Sequence, residues 1–430
     1  MSDSNYRIGI DVGGTFTDIV AVSDEGTVVF SKAPSTPADP SIGVMDAIER
    51  LSHDLKTDSA GLLSRTERIV HGTKVATNAL LERKGAKTGL LTTIGHRDVL
   101  EMREGLKEDR YNMRLAAPET LVPRYLRLGV KERIRPDGSV HIPLDNRSLD
   151  AAIEKLREAK VTSIAVCYLH AYKEAKHEKE TRSRIESKLP GVSVSLSSEV
   201  FPEIKEYERV STTVVNAYVR PVVEKYLRKL GDRLSDTGYI GPVLIILSHG
   251  GVAPIDEAVR LAAGTVLSGP AGGVAGSRYG SSLIGAENLV PFDMGGTSTD
   301  ISMIVNGEPA LSSTRGIAGQ RVALQSLDIV SIASGGGSIA RVDNGGILRV
   351  GPESAGAVPG PACYGKGGQE VAVTDASVVL GFLDPNNFLG GRESLDKEAA
   401  DAAVDKLAAK LSVSTAEAAE GVHRVINTQM

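Results

Sequence analysis

The sequence predicts an α/β chain of two domains with a duplicated hairpin, and three observations carry that expectation. At 430 residues the chain exceeds what one hydrophobic core usually supports. Strand-like and helix-like segments alternate at the spacings of α/β layers. The octapeptide DVGGTFTD, Asp11 to Asp18, returns as DMGGTSTD, Asp293 to Asp300, with six of eight positions identical.

The elements follow in order. RIGIDVG, FTDIVAVS and TVVFSKAP, separated by glycine turns, read as three antiparallel strands. After Pro40, SIGVMDAIERLSHDL has helical periodicity; ERIVHG is strand-like, VATNALLERKG helical and AKTGLLTT strand-like. The polar stretch 103–146 reads as a β-rich insertion turning at Pro136 to Gly138. Helix DAAIEKLREAK, strand VTSIAVCYL, helix KHEKETRSRIESKL and strand VSVSLSS restore the α/β rhythm. A long helix runs from Glu203 to about Leu234, with a kink expected at Pro221. A domain boundary is placed near Ser198 to Pro202. Beyond it come strand VLIIL, glycine-rich SHGG, the helix start SGPAGG, the second octapeptide, the cluster Gly335 to Gly337 and two closing helices from Asp396.

Composition narrows the function classes. Hydrophobic residues make up 41% and aromatics 4% with no Trp, so the core is built from Val, Ile, Leu and Ala. The net charge is −5 with both signs interspersed, and no basic stripe interleaved with aromatics argues for nucleic acid. The N-terminus enters a strand directly and no apolar run spans a bilayer, so a cytoplasmic protein without membrane contact is expected. Two cysteines, Cys167 and Cys363, give neither a disulfide framework nor a metal cluster; both read as packed thiols.

The repeated octapeptide carries the chemistry. A strand ending in Asp, a double glycine and a returning Thr-rich strand expose main-chain N–H groups, because glycine lets the backbone bend and approach a ligand. Hydroxyls of Thr15, Thr17, Thr297 and Thr299 add donors for phosphate oxygens. An Asp beside phosphate repels it, so Asp11 and Asp293 make sense with a divalent cation, Mg²⁺ held partly through water, between them. Either copy alone reads as an ordinary hairpin around Gly13–Gly14 or Gly295–Gly296. Two copies in register read as two half-sites closing on one triphosphate.

The pair resembles the two phosphate loops of the superfold shared by actin, heat-shock chaperone ATPases and sugar kinases, which is ribonuclease H-like. HGTKVATNALLERKGAKTGLLTTIGHRDVLEMREG, EYERVSTTVVNAYVRP, LSGPAGGVAGS, VGPESAGAVPGPACYGKGG and VTDASVVLG narrow the resemblance to the hydantoinase A/5-oxoprolinase family, which includes acetone and acetophenone carboxylase subunits. The resemblance implies an N-terminal hydantoinase/oxoprolinase-type domain over 1–200 with the first loop, and a hydantoinase A-type domain over 201–430 with the second. It implies ATP and Mg²⁺ as cofactors and phosphorylation of the carbonyl oxygen of a small cyclic amide, an ATP-dependent hydrolase activity. An ATP-dependent ketone carboxylase subunit and a non-catalytic nucleotide-binding scaffold are the alternatives. Family members continue well past this length with a further glycine-rich loop, so the fold is expected to be C-terminally incomplete. A separate C-terminal half and a hydantoinase B-type subunit are the implied partners.

Lesser candidates surround the loops. His71 could position a substrate or a proton, or be satisfied by neighbouring backbone. Lys74, where the family usually carries Thr, could contact phosphate or be a solvated first-turn side chain, with Asn78 on the same junction. Gly269 to Gly273, including Gly272 and Gly273, sit at a helix N-terminus suited to anions or to close packing. Gly335, Gly336 and Gly337 suit a flat nucleoside or phosphate surface. His170 and His177 read as scaffold, and His249 departs from the commoner Asn. The closing stretch Thr415 to Met430 predicts an amphipathic helix whose apolar stripe, Ala416, Ala419, Val422, His423 and Ile426, lies open for a partner.

Overall fold

The computed structural model describes residues 5–14, 16–36, 38–105, 111–116, 119–388, 391 and 393–430. The chain opens with β1 (Tyr6–Val12), β2 (Phe16–Ser23) and β3 (Val28–Pro34), an antiparallel meander as the sequence predicts. Helices α1 (Pro40–Asp54) and α2 (Ser59–Ser64) cross over to β4 (Thr66–Thr73), which lies parallel to β1, and α3 (Val75–Leu81) follows. The period of two along β1 divides the sheet into two faces. Ile8, Ile10 and Val12 are buried under the helices, while Gly9 and Asp11 point to the other side.

A second sheet comes next. β5 (Thr88–Thr93) leads through α4 (Val99–Met102) to β6 (Arg127–Val130), and a small hairpin of β7 (Arg133–Ile134) and β8 (Val140–Ile142) turns at Gly138, whose φ is +89°. α5 (Asn146–Glu158), β9 (Ser163–Cys167), α6 (Lys176–Lys188), β10 (Ser193–Leu196) and α7 (Ser197–Val200) complete it. The strand order is β10-β9-β5-β6, all parallel. The polar stretch expected to be an insertion therefore supplies an edge strand. β5 and β9 are buried at every position, as a parallel sheet covered on both faces requires.

α8 (Glu206–Asp236) runs as one helix through Pro221 and joins the two sheets. Val210, Val214 and Ala217 belong to the second core; Val215, Val219, Val223 and Leu227 belong to the first. Past α8, β11 (Val243–Ile246) pairs parallel with β4, and β12 (Val252–Pro254) closes that edge. The first sheet is thus β12-β11-β4-β1-β2-β3, with strands from both sides of the Ser198–Pro202 junction. α9 (Ile255–Arg260) and α10 (Ser268–Ile284) lead to β13 (Phe292–Met294) and β14 (Thr299–Ser302), which with the strand Ile329–Ile332 form a three-stranded antiparallel sheet.

The chain closes in a helical cluster of α11 (Val373–Val379), α12 (Lys397–Leu411) and α13 (Thr415–Gln429). α13 starts at a capping box of Ser414 and Glu417. Its apolar stripe is not open as expected. Ala418, Ala419, Val422 and Ile426 are buried against α11, α12 and the strand Leu348–Ser354, while Ala416 is exposed. Gly421 permits this packing, since a Cβ there would stand 3.1 Å from Leu348 Cδ2. Among the described residues, no helix is long and apolar enough to cross a membrane.

Candidate functional site

Both octapeptides fold into the same hairpin. In the first, Asp11 pairs with Asp18 and Val12 with Thr17; in the second, Asp293 pairs with Asp300 and Met294 with Thr299. The Gly13 N–H donates to Phe16 O and the Gly295 N–H donates to Ser298 O, each at 2.9 Å. A Cβ on Gly13 would lie 2.9 Å from the Phe16 oxygen, so the turn needs glycine there. Thr15 lies outside the described residues.

Asp11 stands on the sheet face away from the helices. Its Oδ1 is buried with no hydrogen-bond partner among the described residues. Two glycines form its cradle: a Cβ on Gly72, its partner in β4, or on Gly269, in the first turn of α10, would lie 3.0 Å from that oxygen. Ser268 fixes α10 there, since its hydroxyl donates to Thr73 O at 2.8 Å and accepts the Thr73 N–H at 2.9 Å. Burial raises the Asp11 carboxyl above its ordinary range; Lys74 opposes the rise, and Asp18 and Asp293 add to it.

Asp11 and Asp293 line one cleft of about 820 Å³, together with Gly9, Asp18, Lys32, Gly72, Gly269, Gly272 and Gly273. Gly72 and Lys32 were not singled out from the sequence, whereas Gly269 belongs to the helix N-terminus that was. The signal for Lys32 is strand register, because it lies opposite Asp18 in β3 and makes a 2.8 Å ion pair with it. An acceptor-only carboxylate oxygen, unpaired in a cradle too tight for any Cβ, fits a hydrated divalent cation such as Mg²⁺. Among the described residues, no group of three or more His, Cys, Asp or Glu could hold a metal. Such an ion would therefore rest on one or two carboxylates, water and phosphate, as Mg²⁺ does with nucleotides.

Several expected site residues stand elsewhere. His71 pairs with Ile10, so it shares the helix-side face and does not line the cleft. It is fully buried with Nε2 2.7 Å from the Tyr226 hydroxyl, and burial drops its pKa to about 4, leaving it neutral at neutral pH. Thr17 is buried and meets Ser35 at 3.2 Å; Thr299 is buried and donates to Ser334 O at 2.6 Å. These two hydroxyls tie the base of each hairpin to the next segment instead of facing the cleft. Gly336 N–H donates to Gly295 O at 3.0 Å and Gly337 N–H to Gly296 O at 2.7 Å, and a Cβ on Gly335 would lie 2.7 Å from Gly295 O. The triple glycine is the bed on which the second loop lies. Gly14, Gly296 and Thr297 remain exposed at the loop tips.

Away from the cleft, His177 is buried against Glu132 at 2.8 Å, and His170 stands beside Tyr172. The exposed His249 turns its Nδ1 to the Gly251 N–H. Cys167 and Cys363 are buried thiols, and burial pushes the pKa of Cys167 up to about 11. Lys74 sits half-buried at the start of α3, where its charge acts on Asp11.

The chain is 40% identical to the caprolactamase subunit alpha of Pseudomonas jessenii over 433 residues, covering 100% of this chain and 62% of the relative. A solved structure of ATP-dependent caprolactamase from the same organism matches with a TM-score of 0.81 at 38% identity, over 99% of this chain and 62% of that one. The nucleotide-free structure of acetone carboxylase, solved for the mechanism of ATP-dependent acetone carboxylation, matches with a TM-score of 0.85 at 30% identity, over 99% and 62%. The chain thus spans under two thirds of the length of these relatives. The model of the hydantoinase/oxoprolinase N-terminal region matches residues 7–189, the hydantoinase/oxoprolinase model matches residues 209–430, and the chain belongs to that family.

Proposed function

We propose that this chain supplies the nucleotide site and phosphorylating centre of an ATP-dependent enzyme that opens cyclic amides. The observation that carries the reading is the unpaired Asp11 oxygen in its glycine cradle, facing the same cleft as Asp293 from the second copy of the hairpin. ATP would lie in the cleft with its phosphates between the two loops. Mg²⁺ would supply charge neutralisation on the phosphates, with Asp11 and Asp293 as its protein anchors.

An unstrained amide resists water, so the reaction needs a better leaving group at the carbonyl carbon. The carbonyl oxygen attacks the γ-phosphorus, the bond to the bridging oxygen breaks, and ADP departs with that electron pair. Water then adds to the activated carbon, and the ring nitrogen takes a proton and leaves, which opens the C–N bond and gives an acyl phosphate. A second water adds to that carbonyl and displaces inorganic phosphate, which carries the original carbonyl oxygen, to give the amino acid. The protein's part in the first step is in-line positioning by Gly13, Gly14, Gly295 and Gly296 and charge placement by the two carboxylates. His71, buried and neutral, supports β4 from beneath through Tyr226. The remainder of the family's length and a B-type partner would complete the enzyme.

The likeness to acetone carboxylase supports a second reading, in which an enol oxygen is phosphorylated and a bicarbonate-derived carbon replaces water as the reacting partner. Substrate carrying ¹⁸O at the carbonyl tests both. Turnover by the complete assembly should place label in inorganic phosphate, without bicarbonate for the amide reading and only with it for the ketone reading. Unlabelled phosphate with every active substrate would refute each.

A further inference from the structure

The second sheet has a place for a ligand of its own, apart from the nucleotide cleft. Its four parallel strands lie in the order β10-β9-β5-β6, so the chain goes from β5 to β6 on one side and then to β9 on the other. Where connections part in this way, the carboxyl ends of the two middle strands leave a gap, and open α/β sheets bind ligands there. Thr92 and Cys167 are register partners at those two ends. Glu206 and Arg209, in the first turn of α8, line the same small cavity of about 10 Å³ as Thr92, His96 and Cys167.

Two of these residues are left with polar atoms to satisfy. Thr92 and Arg209 are each only 1% exposed, and Thr92 Oγ1 and Arg209 Nε are buried with no hydrogen-bond partner among the described residues. Arg209 donates from one Nη to Tyr168 O at 3.1 Å and lies over the Tyr172 ring, yet it forms no ion pair among the described residues. The acidic groups nearby are engaged elsewhere. Glu206 meets His96 Nδ1 at 3.1 Å, Glu132 meets His177 at 2.8 Å, and Glu178 accepts the Tyr168 N–H at 3.0 Å and the Ser197 hydroxyl at 2.6 Å. A buried guanidinium without a counter-ion is costly, and it calls for an anion beside it. Size then selects the anion. The cavity has room for about one water-sized sphere, which admits a single atom and excludes phosphate, bicarbonate and carboxylates.

We propose that this cavity is a chloride site, in which Arg209 Nε and Thr92 Oγ1 donate to one monatomic anion. The ion neutralises the buried guanidinium and ties the first turn of α8 to the carboxyl ends of β5 and β9. Because α8 runs on into the first core, the ion also strengthens the joint between the two sheets. Glu206 stands half-exposed at the rim and keeps its contact with His96, whose other ring nitrogen meets Arg133 at 3.2 Å, so the ion displaces neither bond.

Bromide stands in for chloride in the test, because its anomalous scattering identifies the atom. Crystals of the full chain soaked in sodium bromide should show an anomalous peak within hydrogen-bond reach of Thr92 Oγ1 and Arg209 Nε. In solution, thermal melts at constant ionic strength, with gluconate exchanged stepwise for chloride, should show a saturable stabilisation, as an ion bound only by the folded chain gives. Thr92→Val keeps the side-chain shape and removes one donor. It should raise the half-saturating chloride concentration about tenfold, the size of one hydrogen bond to a charged group. Water alone in the cavity, equal stability in chloride and gluconate, or a chloride response unchanged in Thr92→Val would each overturn the proposal. A bromine peak with no stabilisation by chloride would show an adventitious ion only and overturn it as well. So would phosphate or acetate displacing bromide from the peak, which would make the gap an oxyanion pocket. The map is read on the native chain, so the outcome does not hang on whether the variant folds.

Discussion

The two octapeptides fold alike and live differently. Each has the same register, the same glycine N–H closing the turn, and an Asp at the same place in its first strand. The first copy sits inside a six-stranded sheet, with β4 beside it, α10 across its open face and helices beneath. The second copy sits in a three-stranded sheet; among the described residues β13 pairs only with β14, and all three of its residues are exposed. Asp11 is therefore desolvated and unpaired, while Asp293 is exposed. Eight residues are enough to specify a hairpin, and its chemical character comes from the neighbours.

The largest effect should come from filling the cradle of the first loop. Gly269→Ala places a methyl 3.0 Å from Asp11 Oδ1, where the cation would sit, and should weaken Mg²⁺-ATP binding roughly 100-fold, about 3 kcal/mol. Gly273→Ala is the control in the same cleft, since nothing lies within 4 Å of its Cβ, and should change affinity little. Calorimetry on the two variants checks this. Equal losses would mean the cleft is sensitive everywhere and that the Asp11 cradle is not special.

Acid stability probes the buried histidine beneath the first loop, which has no counterpart under the second among the described residues. The His71 pKa falls from 6.5 to about 4 because burial disfavours its charged form. The unfolded chain thus binds more protons than the folded one between these values. The stabilisation is present above pH 6.5 and is lost as pH falls toward 4, to the extent of about 3 kcal/mol. Chemical denaturation across this range should show the limb in the native chain and a flatter profile in His71→Gln. Parallel profiles would assign the acid sensitivity to other groups.

The two acidic positions should separate in the nucleotide-free protein. Burial raises the Asp11 pKa, so its charged form destabilises the fold as pH rises through the raised value. Asp11→Asn should therefore raise the melting temperature without nucleotide, by the equivalent of about 1–3 kcal/mol, while weakening Mg²⁺-ATP binding. Asp293→Asn should weaken binding with no such gain, because the side chain is exposed. Identical melting shifts would show that the two environments do not differ as their burial implies.

How much of this was legible depended on the range of the interactions. The three-stranded meander, the helix after Pro40 and the parallel runs of β5 and β9 follow from local periodicity, and the structure has them where the sequence predicts. The doubled loop was legible because duplication is visible without any structure. β6 was not, because Arg127 reads as a surface residue; it is fully buried, donating to Val122 O at 2.8 Å and to Glu101 at 3.0 Å. The place of β11 beside β4 was hidden as well, since some 170 residues separate the partners and no local pattern reports such a pairing. The open stripe expected on α13 failed for the same reason: its cover comes from α11, α12 and a distant strand. The faces of His71, Thr17 and Thr299 were recoverable. Counting alternation outward from Ile10 and Val12 puts His71 and Thr17 on the helix side, yet their chemistry as residue types pointed to the ligand.

The smallest effect concerns those threonines and decides between residue type and strand face. If Thr17 and Thr299 were phosphate donors, replacing either with Val would cut nucleotide affinity. The geometry gives another outcome. Thr17→Val removes a hydroxyl that meets Ser35, which keeps its own bond to Gly13 O at 2.9 Å, so the cost should be below about 1 kcal/mol. Thr299→Val leaves the Ser334 carbonyl without its 2.6 Å donor and should cost about 1–2 kcal/mol. Both variants should hold Mg²⁺-ATP within about threefold of the native affinity, less than 1 kcal/mol. Thermal melts and nucleotide titrations on the pair read the two quantities independently. A tenfold loss of affinity with an unchanged melt, in either variant, would return that hydroxyl to the phosphate and show that its hairpin rearranges when nucleotide binds.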